Sequence, residues 1–215
     1  ERLAYRPLRN APRLAPLITA IGVSIVLQNV AMMIWGRQYI PFPDILPHEP
    51  IHLGAATFLP VQGVIVGLSG VLMIGLLLLV HHTRLGRAMR ATAQAPSVAR
   101  LMGVSVDRVI ASTFVIGSVL AAVAGVMVTA NYGQAHAYMG FMLGLKAFSA
   151  AVLGGIGNLA GAVVGGLLLG LIESLGAGYI GDVTGGFLGS QYQDVFAFLV
   201  LILVLVFRPS GLLGE

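Results

Sequence analysis

Arg84-Leu-Gly-Arg-Ala-Met-Arg-Ala-Thr-Ala-Gln-Ala-Pro-Ser-Val-Ala-Arg-Leu-Met-Gly-Val-Ser-Val-Asp-Arg108 is the only sizeable polar island between two long apolar segments. It holds five of the chain's twelve basic residues. In a membrane protein, loop Lys and Arg stay on the cytoplasmic side during insertion, so this island sets the orientation of the whole chain. Arg84, Arg87 and Ala91 recur at helical spacing, and Pro96 occupies a first-turn position that needs no N–H. Gly103 suits the left-handed residue that ends a helix. The pattern predicts two short helices at the cytoplasmic surface, a shape suited to docking. The plain alternative is an ordinary positively charged inner loop.

Working outward, the 215 residues are 57% hydrophobic and 9% charged, with a mean hydropathy of +0.93. Soluble domains carry about 25% charged residues, so this composition specifies an integral membrane protein. The net charge of +4 is concentrated in Arg2 to Arg13 and in the island. With no aromatic-interleaved basic patch, it reads as membrane orientation and not as nucleic-acid binding. No cysteine is present, which excludes disulfides, thiol nucleophiles and thiolate metal sites. The start, Glu1-Arg2-Leu3-Ala4-Tyr5-Arg6, has neither an initiator Met nor an apolar leader. It reads as an interior loop, and an N-terminal part is expected to precede it.

The expected fold is an all-α polytopic membrane protein, a single transmembrane domain over 1–215. About six membrane helices are expected, at 14–36, 61–81, 109–131, 141–156, 158–175 and 192–207, one of them short or broken. A cytoplasmic loop of coupling helices covers 83–108. Arg2, Arg6, Arg9 and Arg13 place the first residues inside, and Arg208 returns the chain to the inside at its end. The Pro-rich stretch 37–60, with Asp44 and Glu49, and the Gly-rich stretch 175–191, with Asp182, are expected as outer loops. Ser105 or Asp107 is available to cap the third span. Ala121 and Gly125, and Gly161, Gly165, Gly166 and Gly170, have the spacing that lets helix backbones approach.

Polar residues inside spans are costly unless partnered, and few occur. Gln28 and Asn29 are expected to face neighbouring helices, as packing contacts or as lining of a pathway. Lys146 and Glu173 are the ionisable groups expected within the membrane, on consecutive antiparallel helices a turn or two from the outer surface. Either they form an ion pair or each reaches the surface alone.

Three motif matches point to chemistry. His48-Glu49-Pro50-Ile51-His52 fits a zinc-protease pattern, but that chemistry needs a helix and Pro50 breaks one. Gly155-Ile156-Gly157-Asn158-Leu159-Ala160 fits a dinucleotide fingerprint, yet the segment after it is apolar on every face, which favours a tight turn with close packing. Gly67-Leu68-Ser69-Gly70 resembles the nucleophile motif of rhomboid proteases. Its only possible base is His136, in a sequence one residue too long for that pattern. No P-loop lysine motif occurs, so the chain itself is not expected to hydrolyse ATP.

A more specific likeness covers essentially the whole chain. Gly86-Arg87-Ala88-Met89-Arg90-Ala91, Leu101-Met102-Gly103-Val104 and Asp107-Arg108-Val109-Ile110-Ala111 resemble the cytoplasmic coupling loop of LivH-type permeases of branched-chain amino acid ABC transporters. Glu1 to Pro7, Ala20 to Ser24, Gly144 to Phe148, Ala151 to Gly157 and Pro209 to Gly214 resemble other signatures of that family. The resemblance implies a half-pore in a bacterial inner membrane, with the first residues and the C-terminus cytoplasmic. The implied partners are a LivM-like permease, two ATPase subunits that bind the ATP, and a periplasmic binding protein delivering leucine, isoleucine or valine. It assigns Gly86, Arg87, Arg90, Ala91, Ala99, Leu101 and Gly103 to ATPase coupling, with no cofactor or metal in the chain itself. Related permeases for urea or short amides share the architecture, and a rhomboid-like hydrolase using Ser69 and His136 is the competing class.

Overall fold

A computed structural model describes residues 5, 7, 15–43, 51–53, 56–155, 157–183, 192–208 and 210–213. Arg2, Arg6, Arg9, Arg13, Asp44, His48 and Glu49 lie outside these residues. The chain divides into two units, Glu1–Met139 and Gly140–Glu215.

In the first unit, α1 spans Ala15–Trp35, α2 Pro60–His82, α3 Arg84–Gln94, α4 Pro96–Leu101 and α5 Val106–Tyr132. Four short strands accompany them: β1 (Ile40–Pro41), β2 (Ile51–Leu53), β3 (Ala56–Phe58) and β4 (Gln134–Ala135). Windows within α1, α2 and α5 are long and apolar enough to cross a membrane. Their apolar side chains point outward on nearly every face. That is stable only where the surrounding solvent is itself apolar and the helix satisfies its backbone internally. Pro60 opens α2 at a position whose N–H would be orphaned anyway, and Gln62 Oε1 accepts from Leu59 N–H at 3.5 Å.

The 37–60 stretch contains short strands. β2 pairs with β3 as a ribbon, so His52 is in a strand and not on the helix a zinc protease needs. β1 pairs antiparallel with β4, Ile40 opposite Ala135, and Phe42 N–H donates to Gly133 O at 2.9 Å. This pairing fixes topology. It brings the end of α1 and the end of α5 to one face, so α3 and α4, which precede α5, lie at its opposite end, about 40 Å away along 27 helical residues.

In the second unit, α6 is Met139–Gly154, α7 Leu159–Val183 and α8 Gln193–Phe207. α7 contains a window long and apolar enough to span, whereas α6 and α8 are shorter apolar helices. At 16 and 15 residues they measure about 24 and 22 Å, less than a hydrocarbon core of about 30 Å. The core is built from Ala150, Leu169 and Ala197, one from each helix, with Leu153 also buried.

Two expectations need correcting. α7 does not stop near Ser174; it continues through Gly176 and Gly178 to Val183, into the stretch read as a loop. Glycine costs about 1 kcal/mol per residue in a helix in water, but in lipid a broken backbone costs more than a weak helix former. The small-residue stripes are also only half used. A Cβ on Gly161 or Gly165 would strike the Gly154 or Ala150 backbone, whereas Gly170, and Gly125 on α5, face open space.

Candidate functional site

The α2–α3–α4–α5 elbow is built by local chemistry. Thr83 ends α2 and starts α3. Its hydroxyl donates to Leu79 O at 2.5 Å and accepts from Gly86 N–H at 3.0 Å, so one side chain satisfies groups on both helices. Gly86 then rests on the α2 end so closely that a Cβ would collide with the carbonyls of Leu79 and Val80. Arg90 reaches back, and its Nη1 donates to Val80 O at 2.6 Å. A guanidinium at a helix C-terminus also meets the negative end of the helix dipole.

Pro96 opens α4 as its spacing predicts, and Gly103 closes it with φ of +82°. Val104 N–H donates to Ala99 O and Gly103 N–H to Arg100 O, both at 3.0 Å. This is the full Schellman arrangement, which consumes the carbonyls that α4 would otherwise leave bare. Ser105 stands at the N-cap position of α5 and uses its backbone carbonyl there, not its side chain.

The seven residues that the resemblance assigns to coupling divide by what they touch. Gly86 and Ala99 are buried inside the elbow, Arg90 braces it and Gly103 supplies its turn. Arg87, Ala91 and Leu101 are on the open surface. Sequence reading missed Val98 and Met102. With Leu101 they are 55%, 80% and 86% exposed, an apolar triplet at i, i+3 and i+4 on the tip of a polar loop. That spacing was the available signal.

In the second unit, the ion pair between Lys146 and Glu173 is present, with Nζ to Oε2 at 3.1 Å. It has a third member. Asp194 Oδ1 lies 2.7 Å from the same Nζ, and the three side chains are 24%, 20% and 31% exposed. One ammonium thus joins α6, α7 and α8, and Asp194 sits in the first turn of α8, where the helix dipole favours a carboxylate. Because α7 is longer than expected, Glu173 lies ten residues, about 15 Å, from its end and not one or two turns.

Gln28 and Asn29 are bonded within α1. Gln28 Nε2 donates to Ser24 Oγ at 3.2 Å and Asn29 Nδ2 to Ile25 O at 2.8 Å. Self-contained bonding explains how two amides are tolerated on an apolar helix. Ser69 is exposed midway along α2. His136 is occupied at both ring nitrogens: Nδ1 accepts from Tyr138 N–H at 3.3 Å, which leaves the proton on Nε2, 3.2 Å from Arg37 O. A histidine so engaged has no lone pair turned toward a serine, which counts against the hydrolase reading. Gly155 and Gly157, with φ of +107° and +100°, form a tight turn, and Asn158 caps α7 through Gly161 N–H at 3.1 Å. The dinucleotide-like motif is thus a helix-to-helix corner.

Residues 3–205 match the family model described as branched-chain amino acid transport system / permease component. The chain is 45% identical over 220 residues to the high-affinity branched-chain amino acid transport system permease protein LivH of Salmonella typhimurium, covering all of this chain and 68% of that protein. It is 46% identical over 219 residues to the permease protein BraD of Pseudomonas aeruginosa, covering all of this chain and 69% of BraD. A more distant similarity, 27% over 199 residues, is to the autoinducer 2 import system permease protein LsrC of Photorhabdus luminescens, covering 91% of this chain and 57% of LsrC. No solved structure matches.

Proposed function

The chain belongs to the branched-chain amino acid transport permease family, and from that premise we propose that it forms half of a translocation pathway for leucine, isoleucine or valine, driven by an ATPase that grips the α3–α4 elbow. It is a permease subunit of an ABC importer and a multi-pass membrane protein. The partners in this reading are a LivM-like permease, two ATPase subunits and a periplasmic binding protein. The elbow and both chain ends face the cytoplasm of a bacterial inner membrane, in keeping with the arginines of the island.

One observation carries the reading. The elbow exposes Val98, Leu101 and Met102 beside Arg87, while Thr83, Gly86, Arg90 and Gly103 hold the segment that presents them. Large apolar side chains left open on a braced polar loop suit a protein contact, and a braced loop transmits displacement where a slack one absorbs it. The cargo follows from the relatives named for branched-chain amino acids, which share 45–46% identity with this chain. LsrC, named for autoinducer 2 import, is much more distant at 27%.

Arg87→Glu combined with Leu101→Asp tests this directly. Neither side chain braces the elbow, so folding should be retained while ATPase capture and ATP-driven leucine uptake into proteoliposomes both fall by at least about tenfold, the scale of losing an interfacial anchor. Unchanged capture and uptake would refute the assignment.

A further inference from the structure

The corner between α6 and α7 is closed by a segment remote in sequence. Gly155 N–H turns back to Ala151 O and Val152 O, at 3.1 and 3.2 Å, and Asn158 N–H goes to Gly155 O, so among the described residues no neighbouring N–H serves Leu153 O or Gly154 O. The tail after α8 supplies them. Leu212 N–H donates to Leu153 O at 2.9 Å and Leu213 N–H to Gly154 O at 3.0 Å. Asn158 Nδ2, 55 positions from Leu213, donates to Leu213 O at 3.0 Å while its Oδ1 caps α7. Arg208 Nη1 steadies Leu212 O at 3.3 Å. Gly211, at φ +83°, lies so close to Gly155 and Val152 O that a Cβ could not enter.

We propose that Arg208 and residues 210–213 form a strap that holds the adjoining ends of α6, α7 and α8 as one body, with Lys146 pinning the same three helices at a second level. The strap is held by backbone hydrogen bonds and by the close seating of Gly211, which is buried, while its leucines are only partly covered, Leu213 being 46% exposed. Such a segment opens more readily than a packed helix, so it is the place where the three helix ends can be released together. As a device in transport this rests on the permease reading above, because a body that moves as one passes on displacement that separately moving helices would lose.

Two variants, each in the assembled complex, test it by amide hydrogen exchange. Asn158→Asp keeps the oxygen that caps α7 and removes the donor to Leu213 O. Leu213→Pro removes the N–H that serves Gly154 O. Each should speed exchange at Leu212 by about tenfold, with the last turns of α6 and α8 speeding up together with it, while Gly161 stays protected in Asn158→Asp. Strap amides that exchange as in the parent protein, or that speed up alone while the helix ends do not, would overturn the proposal. Leucine taken up per ATP hydrolysed should fall about threefold in both variants. A parent complex that hydrolyses ATP without moving leucine would defeat the cargo assignment instead, and the exchange measurement would still decide the strap.

Discussion

The elbow of α3 and α4 and the corner of α6 and α7 solve the same problem by opposite means. Both are places where a helix ends and leaves carbonyls without donors. The elbow answers from within a few residues: Thr83 serves Leu79 and Gly86, and Gly103 and Val104 serve Arg100 and Ala99. The corner borrows Leu212 and Leu213 from the far end of the unit, and its ionic tie draws Lys146, Glu173 and Asp194 from three separate helices. A locally capped end keeps its shape whatever its neighbours do, which suits a handle. An end capped at long range exists only while three helices stay together, which suits a part that registers their arrangement.

That contrast can be broken most forcefully at Lys146. Lys146→Met leaves Glu173 and Asp194 without their shared cation, and because the triad is only partly buried it should destabilise the protein by about 1–3 kcal/mol, at or below the scale of breaking a buried ion pair. Denaturant unfolding in detergent micelles reads it, and adding Glu173→Gln and Asp194→Asn should recover most of the loss. A single variant with the parent's midpoint would mean the triad ties nothing.

Gly86→Ala asks how tightly the elbow is seated. Its new methyl meets the Leu79 and Val80 carbonyls, so α3 must lift from α2 at a cost of about 1–3 kcal/mol. Trypsin should then cut faster after Arg87 and Arg90. Unchanged cleavage would show that the elbow has room to spare. Thr83→Ala is milder, removing one cap for about 1 kcal/mol, and Thr83→Ser should restore it. Both elbow variants should leave amide exchange at Leu212 untouched, since local caps and long-range caps are independent.

The elbow was legible because its signals lie side by side. Pro96, Gly103 and the arginine spacing announced two short helices, and α4 begins and closes where those residues stand. Even there the sequence did not tell bracing residues from presenting ones. Arg87 and Arg90 look alike in the string, and only the fold turns Arg90 onto Val80 O and leaves Arg87 exposed. Gln28 and Asn29 make a related point, because a polar pair in an apolar span implies partners without saying that some of those partners are one turn away on the same helix.

By itself the sequence determined the class of the protein, the rough place of its apolar helices and the path of the elbow. Hydropathy, charge placement and capping residues act over a turn or a bilayer thickness, and all of these distances are short along the chain. Only the tertiary structure decided that Asp194 joins Lys146, that α7 runs on to Val183, and that the tail completes α6. Each depends on which orphaned group meets which donor after the helices have packed. A lysine's second carboxylate or a carbonyl's missing N–H can come from any segment brought near, and nearness in space is not written in the spacing of residues.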